Sequence, residues 1–223
     1  MPVKQNIPFT DGIFSITFTC TNWLPLIEKV NGFDIIYKWF DHLKSKGHYI
    51  IGYVIMPNHV HAVIGFRKTF QSINTIIGNG KRFMAYEIIQ RLEERSETDL
   101  LDQLSTSVET ERKKRKKKHD VWELSFDWKI CETAKFITQK LDYIHVNPCK
   151  GKWNLCTTPA DYVHSSAEFY LDGEQGVYKV TDYTEVLNMD LTVMMEDGTT
   201  GGATSRGGDV AEKQGKPDPG ATE

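Results

Sequence analysis

From Ile13 to Cys20 apolar residues alternate with small polar ones, the period of a strand with one buried face. Between Phe33 and Lys46, Ile36, Trp39, Phe40 and Leu43 recur at helical spacing, and Gly47 closes the stretch. Tyr49–Met56 and His59–Phe66 are apolar runs of strand length, joined by the turn signal Pro57-Asn58. Phe70 to Arg95 returns to helical spacing through Ile73, Ile76, Ile77, Met84, Ile88 and Leu92, although Gly78 and Gly80 weaken its middle. A third helix is predicted over Glu132–His145, stopped by Pro148. The order strand, helix, strand, strand, helix predicts an α+β fold, a ferredoxin-like sandwich whose antiparallel sheet has its helices packed on one face. A fourth strand is expected, with Val121–Phe126 as the candidate.

Two regions stand outside this pattern. Residues 96–119 form a polar insertion ending in seven consecutive cations, Arg112 to Lys118. Such a block is either a phosphate-binding arm or a solvated loop. Beyond Met195 the chain is rich in Gly, Thr and acids and nearly devoid of apolar residues, the composition of a disordered acidic tail over 196–223. The organisation expected is therefore one domain over 1–170, a C-terminal extension over 171–195, and the tail.

Charge changes the picture only locally. The net charge is −3, yet the tail holds six acids and three bases, which leaves the body with 24 of each. A neutral body mildly disfavours nucleic-acid binding unless the cations are concentrated, as they are at 112–118. No apolar run approaches the roughly 20 residues of a membrane span, so no membrane partner is expected. The first residues lack the pattern of a signal peptide. The four cysteines include no Cys-x-x-Cys pair and read as reduced thiols of a cytoplasmic protein.

The candidate chemistry lies in Met56-Pro57-Asn58-His59-Val60-His61. Successive strand residues face opposite ways, so His59 and His61 project together with Val60 turned aside. Two imidazoles side by side on a rigid strand make half of a divalent-metal site, or are merely two neighbouring strand histidines. A second stretch, Leu141-Asp142-Tyr143-Ile144-His145-Val146-Asn147-Pro148 through Trp153, is followed by Asp161-Tyr162 and Ser165-Ser166.

Together the two stretches resemble the HUH-type single-tyrosine transposases, and within them the REP-associated tyrosine transposase branch, over roughly Ile13 to Tyr170. The resemblance implies His59 and His61 as ligands of Mg²⁺ or Mn²⁺, Tyr143 as the nucleophile on a phosphodiester, and Asn147 as a third ligand. Tyr143 and Asn147 are i and i+4 and share a helix face, although Pro148 biases Asn147 away from helical geometry. A tyrosine hydroxyl needs help to ionise at neutral pH, which a nearby metal or base supplies. The implied activity is transposition by metal-dependent single-strand cleavage and strand transfer on hairpin DNA, through a 5′-phosphotyrosine. The resemblance admits a homodimer as well as a monomer. Implied DNA contacts are Lys81 and Arg82 on the second helix, and the basic run Lys113, Lys114, Arg115 and Lys116 is a candidate phosphate arm. Trp122 is a candidate for stacking on unpaired bases, with core packing as its simpler role. The family often has Trp-Gln followed by an aromatic, acidic and His cluster here; this chain has Glu123 for the Gln and lacks the His. His145 is expected at the surface. A DNA-binding protein that no longer cleaves is the second reading, although a binder has no chemical need for His59, His61 and Tyr143 together.

Overall fold

The computed structural model describes residues 6–114 and 116–194. Strand β1 (Gly12–Thr19) leads through a 3₁₀ turn (Thr21–Trp23) and the short helix α1 (Leu26–Lys29) into α2 (Phe33–Ser45). Strands β2 (Tyr49–Met56) and β3 (His59–Phe66) form the expected hairpin, and α3 (Ile73–Glu94) follows. Then come α4 (Thr98–Thr106), α5 (Thr110–Lys114), β4 (Asp127–Ile130) and α6 (Ala134–Val146). A second 3₁₀ turn (Asn147–Cys149), a third (Pro159–Asp161), α7 (Ala167–Asp172) and α8 (Tyr183–Leu187) complete it. The four strands lie in the order β2-β3-β1-β4, every pair antiparallel, so the α+β class is as expected.

The division of helices differs from the expectation. Val60, Ala62, Ile64 and Phe66 of β3 join one core with Ile36, Trp39 and Phe40 of α2 and Ile77, Met84 and Ile88 of α3. Val63, on the opposite face, joins a second core with Ile137, Leu141 and Ile144 of α6 and Val186 of α8. Helices therefore cover both faces rather than one, and every residue of β3 is buried. The apolar stripe of α6 dictates that it packs, but period alone does not say on which side. Each of those α6 side chains contributes roughly 1.5–3 kcal/mol by burial, which fixes the helix on the sheet. β2 carries a bulge between Ile50 and Gly52, and Gly52 faces α6: a Cβ there would lie 2.3 Å from Leu141 Cδ2.

The fourth strand is Asp127–Ile130, paired with β1, and not Val121–Phe126. The earlier segment makes only a single antiparallel bridge among the described residues, Trp122 to Cys20 just past β1. Thr21 N donates to Val121 O and Glu123 N to Thr19 O, and the segment's other bonds go elsewhere. Trp122 Nε1 donates to Lys81 O at 2.9 Å, and Lys81 Nζ donates to the Glu123 and Ser125 carbonyls at 2.7 and 3.0 Å. An ammonium thus satisfies carbonyls that a strand would offer to a neighbour. Helix α3 starts at Ile73 because the Ser72 side chain caps it, accepting from Thr75 N; Phe70 lies outside and is 91% exposed. The insertion packs down on the body through Leu104 and Val108, both buried. The extension also packs down: Val186 and Leu191 join the second core, and Thr181 N donates to Ile50 O. The expected tail lies outside the described residues, as does Arg115.

Candidate active site

His59 and His61 face α6, with ring centroids 4.8 Å apart. Antiparallel register sets Thr17 of β1 opposite His61, and Thr17 Oγ1 lies 2.6 Å from His61 Nδ1. His59 Nδ1 lies 2.6 Å from Oδ1 of Asn58, whose amide nitrogen donates to the Trp23 carbonyl at 3.0 Å. A carbonyl only accepts, so the amide nitrogen must face Trp23 and the amide oxygen must face His59. His59 then carries its proton on Nδ1 and a lone pair on Nε2. Asn147 Nδ2 lies 3.3 Å from His61 Nε2. Burial pushes the His59 imidazole down to about 4. Burial, with smaller contributions from His59 and Lys140, pushes His61 down to about 3. Both rings are therefore neutral near pH 7, the state in which imidazole binds a cation.

Helix α6 brings the other two residues to the same place. The Thr133 side chain caps its start, accepting from Phe136 N, and Ile137, Leu141 and Ile144 hold it on the sheet. Tyr143 projects from the opposite edge of that stripe, 59% exposed, with its ring edge-on to His61 at 5.7 Å between centroids. Its hydroxyl has no hydrogen-bond partner among the described residues, unlike the capped hydroxyls of Tyr53, Tyr162 and Tyr170. Asn147 keeps helical φ and ψ, −54° and −45°, in spite of Pro148, so the i, i+4 stacking survives. Among the described residues no three His, Cys, Asp or Glu side chains cluster as a metal site; the convergent set is two imidazoles and an amide.

Three residues of this site escaped the sequence reading: Thr17, Asn58 and Trp23. Asn58 reads as a turn residue, yet it is wholly buried and ties His59 to the Trp23 backbone. Trp23 follows Asn22 in the left-handed region, with φ of 57° and 54°. Such conformations in bulky residues cost about 1–3 kcal/mol and persist only where the surroundings impose them. Here Asn22 N donates to Glu123 Oε1 and Asn22 Nδ2 to Ser107 Oγ, while Thr21 N donates to Val121 O. Glu123 thereby gains a role in holding this turn.

The remaining sequence candidates are placed as follows. Lys81 and Trp122 are buried and joined to each other's segments, so Trp122 has no open ring face on which a base could stack. Arg82 is exposed on α3, stacked over Phe83. Lys113, Lys114 and Lys116 are exposed, whereas Arg112 pairs with Asp120. Arg82, Arg112 and Lys117 flank a cleft of about 460 Å³ between α3 and residues 120–126. A larger cleft of about 700 Å³ between α2 and α3 lies on the sheet face away from the histidines. His145 is not at the surface: it is 4% exposed, and its Nε2 lies 2.9 Å from Ser166 Oγ. Ser166 N also donates to Tyr53 O, Tyr53 N donates to Ser166 Oγ, and Ile55 N donates to His164 O, so the segment 164–166 extends the edge of β2. All four cysteines are free thiols; Cys149 and Cys156 touch, with Sγ atoms 3.1 Å apart. No helix among the described residues is long and apolar enough to cross a membrane.

Neither the models of known protein families nor the curated proteins give a match to this sequence. Among solved structures, the chain is similar to a REP-associated tyrosine transposase bound to a REP hairpin. The two are 14% identical, with a TM-score of 0.54 over 88% of this chain and all of the other. A protein of Deinococcus radiodurans R1, provisionally described as a transposase, is a looser likeness. It is 14% identical over 64% of this chain and 95% of its own, with a TM-score of 0.38. At such identities the transposase likeness establishes the fold.

Proposed function

We propose that the chain is a transposase-type enzyme, a metal-dependent single-strand DNA endonuclease and strand transferase that acts on hairpin DNA through a phosphotyrosine at Tyr143. The observation that carries this reading is the convergence of two neutral imidazoles on β3 with Asn147 and the accessible Tyr143 on α6. The similarity in fold to a transposase bound to a REP hairpin supports hairpin DNA as the substrate class.

The donor set fits a divalent cation. His59 and His61 through Nε2, with the Asn147 amide turned so that its oxygen rather than its nitrogen faces them, would hold Mg²⁺ or Mn²⁺. Imidazole is an unusual main ligand for Mg²⁺, which prefers oxygen, so Mn²⁺ is an equal candidate, and the amide oxygen suits both. When bound, the cation polarises the scissile phosphate and offsets charge developing in the transition state. The protein's own groups do the rest. Asn58 holds His59 in the tautomer that leaves Nε2 free, and Thr17 orients the His61 ring through its Nδ1. Tyr143 is open to solvent, which receives its proton as the phenolic oxygen attacks phosphorus. The P–O3′ bond breaks, the departing 3′ oxygen takes up a proton, and the 5′ phosphate remains on Tyr143. Attack by a 3′-hydroxyl on that linkage reverses the step and joins strands without ATP, in keeping with the lack of a Walker-type phosphate loop. The exposure of Arg82, Lys113, Lys114 and Lys116 is compatible with contacts to backbone phosphates, whereas Lys81 and Trp122 are buried and joined to each other's segments.

The test is incubation of the chain with single-stranded hairpin oligonucleotides carrying randomised flanks, with Mn²⁺ or Mg²⁺. A denaturation-resistant protein–DNA adduct that needs the metal and is lost in Tyr143→Phe is expected. Tight hairpin binding without an adduct under either metal would overturn cleavage in favour of a binding protein.

A further inference from the structure

Cleavage requires a phosphate beside His59 and His61, and the nucleotide bearing it must rest against whatever borders that pair. Besides Tyr143, the aromatic ring that meets the pair among the described residues is Trp23, edge-on to His59 with centroids 5.9 Å apart and planes at 68°. We propose that Trp23 is a stacking platform for one nucleobase of the single strand, seating the nucleotide whose phosphate lies at His59 and His61. The inference rests on the cleavage reading above.

Two independent observations carry it. The first is exposure. Trp23 is 58% exposed, whereas Trp39 and Trp122 are 5% and 6% exposed in the core. An indole left in water beside a candidate reaction centre contributes little to the fold and offers a flat, uncharged π face. Every base has such a face, so stacking positions a strand without reading its sequence.

The second is the way the turn is held. Asn22 and Trp23 both sit in the left-handed region, and separate parts of the chain fasten them there. Asn58 takes the Trp23 carbonyl, Glu123 takes Asn22 N, and Ser107 of the insertion takes the Asn22 amide. An idle surface tryptophan needs no such bracing. The same Asn58 amide also orients His59, so ring and platform move as one unit. Base stacking of this kind raises affinity by roughly 5- to 150-fold.

The experiment uses the full chain and the oligonucleotide that it traps as an adduct. Tyr143→Phe serves as the non-cleaving background, and an abasic residue is placed in turn at each single-strand position. Dissociation constants are measured with Trp23 intact, with Trp23→Phe and with Trp23→Ala, each checked for an unchanged melting temperature. Trp23→Ala is expected to weaken binding by roughly 5- to 150-fold, with a smaller loss in Trp23→Phe. At one position the abasic residue should cost the same factor when Trp23 is present and nothing further in Trp23→Ala. Equal losses at every position with and without the indole, while Tyr143 still forms its adduct, would overturn the platform and leave cleavage standing. Failure to bind or trap any strand would remove the cleavage reading and the platform with it.

Discussion

At the scale of single residues, the site depends on hydrogen bonds that set tautomers. Asn58 uses both ends of one buried amide, toward His59 and toward the Trp23 carbonyl. Partners that orient ligating histidines typically govern metal affinity by 10–100-fold. Asn58→Ala is therefore expected to weaken Mn²⁺ binding by roughly that factor in a calorimetric titration. Unchanged affinity would show that the amide does not position the ring. Protonation gives a second expectation. Burial pushes His48, His59 and His145 down to about 4 and His61 to about 3, against roughly 6.5 in an unfolded chain. Between those values the unfolded state binds more protons, so stability rises with pH. The contribution is complete above about 6.5 and is lost as pH falls toward 4. The urea midpoint should drop steadily from pH 7 to pH 5; a flat midpoint would mean these rings are not held neutral. His59 and His61 were legible as a pair because a strand has a period of two. Thr17, Asn58 and Trp23 were not, since their roles arise from β1 register and from a turn braced by segments up to 101 residues distant.

At the scale of elements, glycines in α3 separate propensity from packing. Both Gly78 and Gly80 lower helix propensity, and the helix runs unbroken through them. A Cβ at Gly78 meets nothing within 4 Å, whereas one at Gly80 would lie 2.2 Å from Trp39 Nε1, within a rigid ring. Gly78→Ala should therefore stabilise by about 0.5–1 kcal/mol. Gly80→Ala should destabilise by about 1–3 kcal/mol as α2 and α3 are forced apart. Thermal melts of the two variants check this, and equal shifts would contradict the close approach of the helices. Periodicity made α2, α3 and α6 legible to within a few residues. It could not assign α6 to the far face, because an apolar stripe has no sign. Val121–Phe126 looked like a strand for a related reason: its apolar and aromatic residues are those of a strand, but it bridges β1's end only at Trp122, and Lys81 takes the Glu123 and Ser125 carbonyls.

At the scale of the whole molecule, a four-stranded sheet carries its candidate site on one face and its larger helical layer on the other. The hairpin β2–β3 delivers two histidines, and α6 lays Tyr143 and Asn147 beside them, Asn147 being 86 residues from His61. Residue spacing within each motif was readable, and the resemblance supplied their meeting; the fold brings them within contact distance. The insertion, which reads as a solvated loop or a phosphate arm, also braces the Trp23 turn through Ser107. The central claim is a covalent bond at one residue, so the most direct measurement is mass spectrometry of peptides from chain incubated with trapped hairpin strand and Mn²⁺, digested by protease and nuclease. The account predicts a nucleotide attached through phosphate to the peptide bearing Tyr143, absent when metal is removed. A nucleotide carried on any other residue, or none on a chain that still cleaves the strand, would contradict it.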